Sequence, residues 1–194
     1  VSMPILTVFT PAYNRAHTLL RTYESLLKQS VKDFIWLIVD DGSSDETRDV
    51  VDGFIKENKI EIRYEFKNNG GKYKAINYAI KIIDTPYFAC IDSDDYLSIN
   101  MIEKLYKAMI NNNADMSVCQ ILRMQENSNG EMVFLNDIKE PYKEKIYSTN
   151  EMIKGILLDA SIGNFVCNKL LKKELIEGIT FPEGKVYEDV ATTY

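Results

Sequence analysis

Residues 34–42 read FIWLIVDDG, an unbroken apolar run stopped by two aspartates and a glycine. A strand with one face in water alternates polar and apolar positions, whereas one covered on both faces does not. Phe34 to Val39 therefore belongs in the middle of a mainly parallel sheet. The neighbouring segments agree. Ile5 to Thr10 (ILTVFT) is a short β-rich run ended by Pro11, and Leu19, Leu20, Tyr23, Leu26 and Leu27 follow at helical spacing. Behind the central run, Ser44 is placed to cap a helix carrying Val50, Val51, Phe54 and Ile55, with Thr47 at the capping-box position. Ile60 to Phe66 alternates like a strand, and Ala75, Ile76, Ala79, Ile80 and Ile83 make the next helical stripe. Tyr87 to Ile91 is a further strand, and Ile99, Ile102, Leu105, Tyr106 and Met109 a further helix. Strands alternating with helices at this spacing predict an α/β sandwich, a mainly parallel central sheet flanked by helices.

Past residue 112 the pattern loosens. Ala114 to Leu122 reads as a strand, and Asn129-Gly130 predicts a hairpin turn between 122–124 and 132–135. Ser148 to Leu158 reads as a helix with Ser148 as its cap and Glu151 completing a capping box. Residues 165–176 (FVCNKLLKKELI) read as strand into helix, and 179–194 as a loop and a helix start. The expected organisation is one domain, with residues 1–112 as one half and 113–194 as a smaller annex packed on it.

The 194 residues suffice for one domain with a substantial core. No run approaches the roughly 18 to 20 apolar residues that span a bilayer, and no secretory signal is seen. Cys90, Cys119 and Cys167 are few and widely spaced, as reduced core residues of a cytoplasmic protein would be. A net formal charge of −6, with lysines scattered among acids, offers nothing to nucleic acid. His17 is the only histidine and lies in no cysteine cluster, which excludes a zinc site of the usual kind.

Ligands of such sheets sit outside the carboxyl ends of the strands. Three motifs follow strand ends here: PAYNRAH from Pro11, DDGSSDE from Asp40 and DSDD from Asp92. In the last, Asp92, Ser93, Asp94 and Asp95 offer more acid than a fold needs. If the segment is extended, Asp92 and Asp94 share one face and Asp95 points elsewhere, so the first two can hold Mn2+ or Mg2+ on a phosphate ligand. Capping of a helix that begins near Ser98 would explain one of these acids, not all. An EF-hand is excluded because Leu97 stands where its loop requires glycine. Asp40, Asp41 and Asp45 form a second group, where a tight turn and cap need one acid and the surplus can accept hydrogen bonds from a ligand. NNGGKYKAIN (68–77) places two glycines at a helix entrance, with Lys72 and Lys74 to meet phosphate. It fits neither the Walker spacing nor the dinucleotide fingerprint.

In order, TVFTPAYNRAHTL, VDDGSSDETRDVV, NNGGKYKAIN, IDSDDYL, NKLLKKELI and FPEGKVYEDV resemble the family 2 glycosyltransferases, which have the GT-A fold, over nearly the whole chain. The resemblance implies an inverting, metal-dependent enzyme that moves a sugar from a nucleoside-diphosphate sugar, UDP in many members, to an acceptor hydroxyl. By matching positions, Pro11, Tyr13 and Arg15 belong to the nucleotide loop, and Asp40 or Asp41 is the acid that binds the base. Lys72, Lys74 and Asn77 lie on the helix beside the diphosphate. Asp92 and Ser93 with Asp94 form the DxD motif for ribose and metal, and Asp189 is the catalytic base with Glu188 beside it. Where many members carry an arginine, this chain has Ile76, and Lys72 or Lys74 is the candidate to supply the charge, with the diphosphate contact left open between them. The resemblance further implies a carbohydrate or lipid-linked acceptor, cytoplasmic action at the inner membrane face, and a C-terminal continuation that associates peripherally with the membrane. It leaves the oligomeric state open. A sugar-phosphate nucleotidyltransferase and a donor-binding domain without catalysis are the competing functions.

Overall fold

The computed structural model describes residues 5–135, 144–157 and 165–182. In chain order the first half runs β1 (Leu6–Ala12), α1 (Ala16–Leu27), β2 (Phe34–Asp40), α2 (Thr47–Glu57), β3 (Glu61–Phe66), α3 (Lys72–Ile82), β4 (Tyr87–Cys90) and α4 (Met101–Asn112). The second half adds β5 (Met116–Val118), β6 (Met124–Glu126), β7 (Met132–Phe134), α5 (Thr149–Leu157), β8 (Lys169–Lys172) and a 3-10 turn at Lys173–Leu175. The main sheet has the order β3-β2-β1-β4-β8-β5. All pairings from β3 to β4 are parallel, and β8 enters antiparallel between β4 and β5.

Every residue of β1 and β2 is buried, as the unalternating sequence of β2 predicts. Successive side chains enter opposite layers. Val8, Trp36 and Ile38 pack under α1, α2 and α4, while Phe9, Leu37 and Val39 pack under α3 together with Ile176 and Phe181. The first layer is centred on stacked aromatics, with Tyr23 and Phe54 ring centroids 4.1 Å apart and the Trp36 indole donating to Thr10 Oγ1 at 2.9 Å. Each such side chain contributes about 1.5–3 kcal/mol through burial.

β1 does not stop at Pro11 but runs to Ala12. Phe9 faces β4, where its carbonyl accepts the Ile91 N–H, and Ala12 faces β2, where its carbonyl accepts the Asp41 N–H. Alternation therefore turns Pro11 toward β4, whose pairing with β1 has already ended at Cys90. The missing N–H costs no ladder bond there. Ser44 is not the cap of α2, which begins three residues later at Thr47. Leu20, Ile55 and Ile99, expected on buried stripes, are exposed, and β5 spans only Met116–Val118 of the longer run expected. The β6–β7 hairpin turns at Asn129-Gly130, and the capping box of α5 is formed, with Glu151 accepting from the Ser148 N–H at 2.8 Å.

Candidate active site

β1 leads through α1 to β2 on one side, while α3 carries the chain back to β4 on the other side of β1. Neighbouring parallel strands whose connections leave in opposite directions open a crevice beyond their carboxyl ends. A cleft of about 240 Å³ lies there. Pro11, Tyr13 and Arg15 line it from the end of β1, Asp41 from β2, Lys72 from the start of α3, and Asp92, Ser93 and Asp94 from the loop after β4. Tyr13 is half exposed at the cleft.

The first two loops are joined to each other by hydrogen bonds. Asn14, at φ 53°, accepts the Ser44 N–H on its side chain at 2.8 Å, and its own N–H goes to Ser43 Oγ at 2.8 Å. The start of α1 is capped from outside its own segment. Thr47 Oγ1 accepts the Arg15 N–H at 2.8 Å and Asp45 Oδ2 the Ala16 N–H at 3.2 Å. Burial favours the neutral form of Asp45, but bonds from the Thr47 hydroxyl and amide and from the Ala16 amide outweigh it and lower its pKa. Asp45 is thus the surplus acid of the second motif, and its partners are backbone and Thr47.

Asp41 joins the second loop to the third. Its carboxylate accepts the Gly70 N–H at 3.0 Å and the Gly71 N–H at 2.6 Å, and pairs with the Lys67 ammonium. Two glycines are required by this closeness: a Cβ on Gly42, at φ 81°, would lie 2.7 Å from Asn69 N, and Gly71 opens α3 at φ 92°. The result delivers Lys72 to the cleft, with its ammonium 2.9 Å from Asp92.

The aspartate loop is a turn, not an extended segment. The Asp95 N–H bonds to the Asp92 carbonyl at 3.1 Å, so positions i and i+3 come together. Asp92 and Asp95, with Cys167, present ligand atoms within 4.8 Å of one another, while Asp94 lies 3.8 Å from Arg15. The expectation that Asp95 points away from Asp92 is corrected accordingly, while Asp92 and Asp94 both line the cleft. Neither Asp94 nor Asp95 caps α4, which begins behind Asn100. Two converging carboxylates are the hard oxygen donors that Mn2+ or Mg2+ selects. Burial, then Asp92 and Asp95, push the Cys167 thiol up to about 12, so at neutral pH it is a weak ligand.

Burial first, then the charges of Asp92 and Asp94, raise the pKa of Asp95. A carboxyl whose folded pKa exceeds its unfolded value of about 3.9 supports folding below that value and loses the contribution as pH rises through the folded one. Without divalent cation, Asp95→Asn should therefore raise the melting temperature at pH 7 and leave it unchanged near pH 3. Added Mn2+ should reverse the order at pH 7. A variant that melts lower than wild type in metal-free buffer at pH 7 would contradict this account.

Three expected site residues lie outside the cleft lining. Asp40 accepts from Tyr64 Oη at 2.6 Å and from the Ser43 N–H at 2.7 Å, so it shapes the turn. Lys74 folds across Gly70. Asn77 is engaged with the backbone of Phe181, donating to its carbonyl at 3.0 Å and accepting its N–H at 2.8 Å. Glu188 and Asp189 lie outside the described residues. The sequence reading missed Asn14, Asp45 and Thr47 as loop connectors and Cys167 beside the acids. Only the dense polar spacing of 43–47 hinted at the first group.

Residues 7–179 match the family model described as Glycosyl transferase family 2. Glycosyltransferase GlyG of Streptococcus pneumoniae is 28% identical over 98% of this chain and 64% of its own length. The crystal structure of S. aureus TarS 1-349 superposes with a TM-score of 0.74 at 26% identity, covering 97% of this chain and 53% of that one. TarS 1-349 has also been solved with UDP and with UDP-GlcNAc. A mannosyltransferase from Pyrobaculum calidifontis, solved with GDP-Man and Mn2+, shares the fold with a TM-score of 0.70 at 16% identity, over 98% of this chain and 51% of that one. The chain thus spans less than two thirds of the length of each of these proteins.

Proposed function

Because the chain belongs to glycosyltransferase family 2 and has the GT-A fold, we propose that it moves a sugar from a UDP-sugar to an acceptor hydroxyl, with inversion at the anomeric carbon. The observation that carries this reading is the cleft between β1 and β4. There Asp92 meets Lys72 at the entrance of α3, with Asp94 in the same lining and Tyr13 exposed beside them. Tyr13 offers a stacking face for the base, and Asp41 lies in the same lining. Lys72, at a helix N-terminus, is placed to meet the diphosphate. Asp92 and Asp95, joined by Asp94 on the ligand side, would hold Mn2+ or Mg2+. When bound, the cation neutralises charge that builds on the leaving diphosphate, so no general acid is needed there.

The acceptor oxygen forms its bond to the anomeric carbon as the bond from that carbon to the diphosphate oxygen breaks, through an oxocarbenium-like state. Asp189 takes the acceptor proton, with Glu188 as its neighbour. In this reading residues 1–112 bind the donor and 113–194 face a carbohydrate or lipid-linked acceptor of polysaccharide or glycolipid synthesis. Among the described residues no helix is long and apolar enough to cross a membrane. We place the reaction in the cytoplasm, at the inner membrane face.

The test is calorimetric titration of UDP with and without Mn2+. Binding that requires Mn2+ is the expected outcome. Absence of binding by UDP, together with binding of GDP under the same conditions, would overturn the choice of base, and absence of both would overturn the donor site.

A further inference from the structure

Helix α1 and the turn that ends it bury a polar stripe beside the apolar face. Thr22, Ser25 and Gln29 are 0%, 6% and 3% exposed, and their side chains share one target, the main chain of residues 93–102. The Thr22 hydroxyl donates to the Asp95 carbonyl at 2.7 Å, with the Ser93 carbonyl 3.4 Å away. Ser25 Oγ accepts the Leu97 N–H at 3.1 Å. Gln29 donates to the Ser98 carbonyl at 2.8 Å and accepts the Ile102 N–H at 3.2 Å. Beside Thr22, Arg21 Nη2 donates to the Asp94 carbonyl at 2.8 Å, and its guanidinium lies 5.2 Å from the centre of the Tyr96 ring.

Buried polar groups are costly unless paired, so a segment that carries three of them, two on α1 and Gln29 just past its end, restricts the loop that satisfies them to one conformation. The carbonyls reached by Thr22 and Arg21 are those of Ser93, Asp94 and Asp95, three in succession. They belong to the turn that brings the Asp92 and Asp95 carboxylates together, and a shift of this backbone would change the distance between those groups. Ser25 and Gln29 fix the exit of the same loop into α4.

Resting on the donor-site reading above, we propose that Thr22 and Arg21 are positioning residues for the cation site. They set the spacing of its carboxylates through the turn backbone and touch neither cation nor substrate. Partners that orient metal ligands are typically worth about 10–100-fold in metal affinity.

The experiment measures Mn2+ binding in the presence of UDP from the electron paramagnetic resonance signal of the free ion, so no turnover is involved. Thr22→Val keeps the side-chain shape and removes the donor. It should weaken Mn2+ binding by about 10-fold or more, while Thr22→Ser, which keeps the hydroxyl, should stay close to wild type. Unchanged affinity in Thr22→Val, or an equal loss in Thr22→Ser, would overturn the proposal. If Thr22→Val does not fold, Arg21→Met decides: weaker binding supports the positioning role and wild-type affinity overturns it. Failure of the wild-type protein to bind Mn2+ with UDP would instead overturn the donor-site reading.

Discussion

Asp92→Asn should lower transfer by about 10²–10³-fold, since charge stabilisation by a bound cation supplies several kcal/mol and each 1.36 kcal/mol is tenfold in rate. Two features of its position set the size of the effect. Asp92 is the residue shared by the carboxylate pair and the Lys72 contact at 2.9 Å, so its loss removes a ligand and the partner that holds Lys72. Asp94, with a half-exposed carboxylate 3.8 Å from Arg15, holds neither position. Asp94→Asn should accordingly lose less Mn2+-dependent UDP binding than Asp92→Asn. The reduced repulsion around Asp95 also means that Asp92→Asn should not melt below wild type in metal-free buffer. Initial rates, paired titrations of UDP with and without Mn2+, and melting curves in metal-free buffer check the three statements in turn. A larger loss from Asp94→Asn would mean that the cation is held on the extended-segment face, not across the turn.

The layer architecture was legible because its signal is local. An apolar run without alternation can sit only where both faces are covered, and β2 does. The strand-end motifs were legible for the same reason, since each strand-to-loop transition shows in composition. What remained hidden depends on partners distant in sequence. Nothing near Leu20 tells that α1 turns Thr22 and Ser25 inward instead, with Gln29 just past its end, because the groups that satisfy them lie about 70 positions away in the loop after β4. The start of α2 was misplaced because Asp45 and Thr47 are committed to the N-terminus of α1. The insertion of β8 between β4 and β5 is likewise a long-range pairing of a four-residue strand, with no periodicity to announce it.

The site shows the same division. Residue types suggested the chemistry, and backbone conformation decides which of those residues come together. Three aspartates in four positions suggest a cation whatever the conformation, but pairing 92 with 94 assumes an extended chain and pairing 92 with 95 requires a turn. Asn77 shows the converse. The resemblance placed it beside the diphosphate, and in the fold both ends of its amide are occupied by the Phe181 backbone.

That contact bears on the last expected result: Asp189→Asn should lower transfer by about 10²–10⁴-fold, the usual contribution of a positioned base, while Mn2+-dependent UDP binding is kept. Phe181 is buried under the sheet and held at both backbone groups by Asn77, eight residues before Asp189 in the chain. The last described residues before the proposed base are therefore fixed to α3, the helix that also delivers Lys72. Donor binding needs nothing from Asp189, which is why the two readouts should separate. Glu188→Gln is the control, since on the helix start that the sequence predicts there, adjacent positions point about 100° apart and only one can face the acceptor. A large loss in Glu188→Gln with little change in Asp189→Asn would move the base to Glu188. A wild-type chain that binds UDP with Mn2+ but transfers sugar to no acceptor would make this a donor-binding domain, with the acids of the cleft retained for recognition alone.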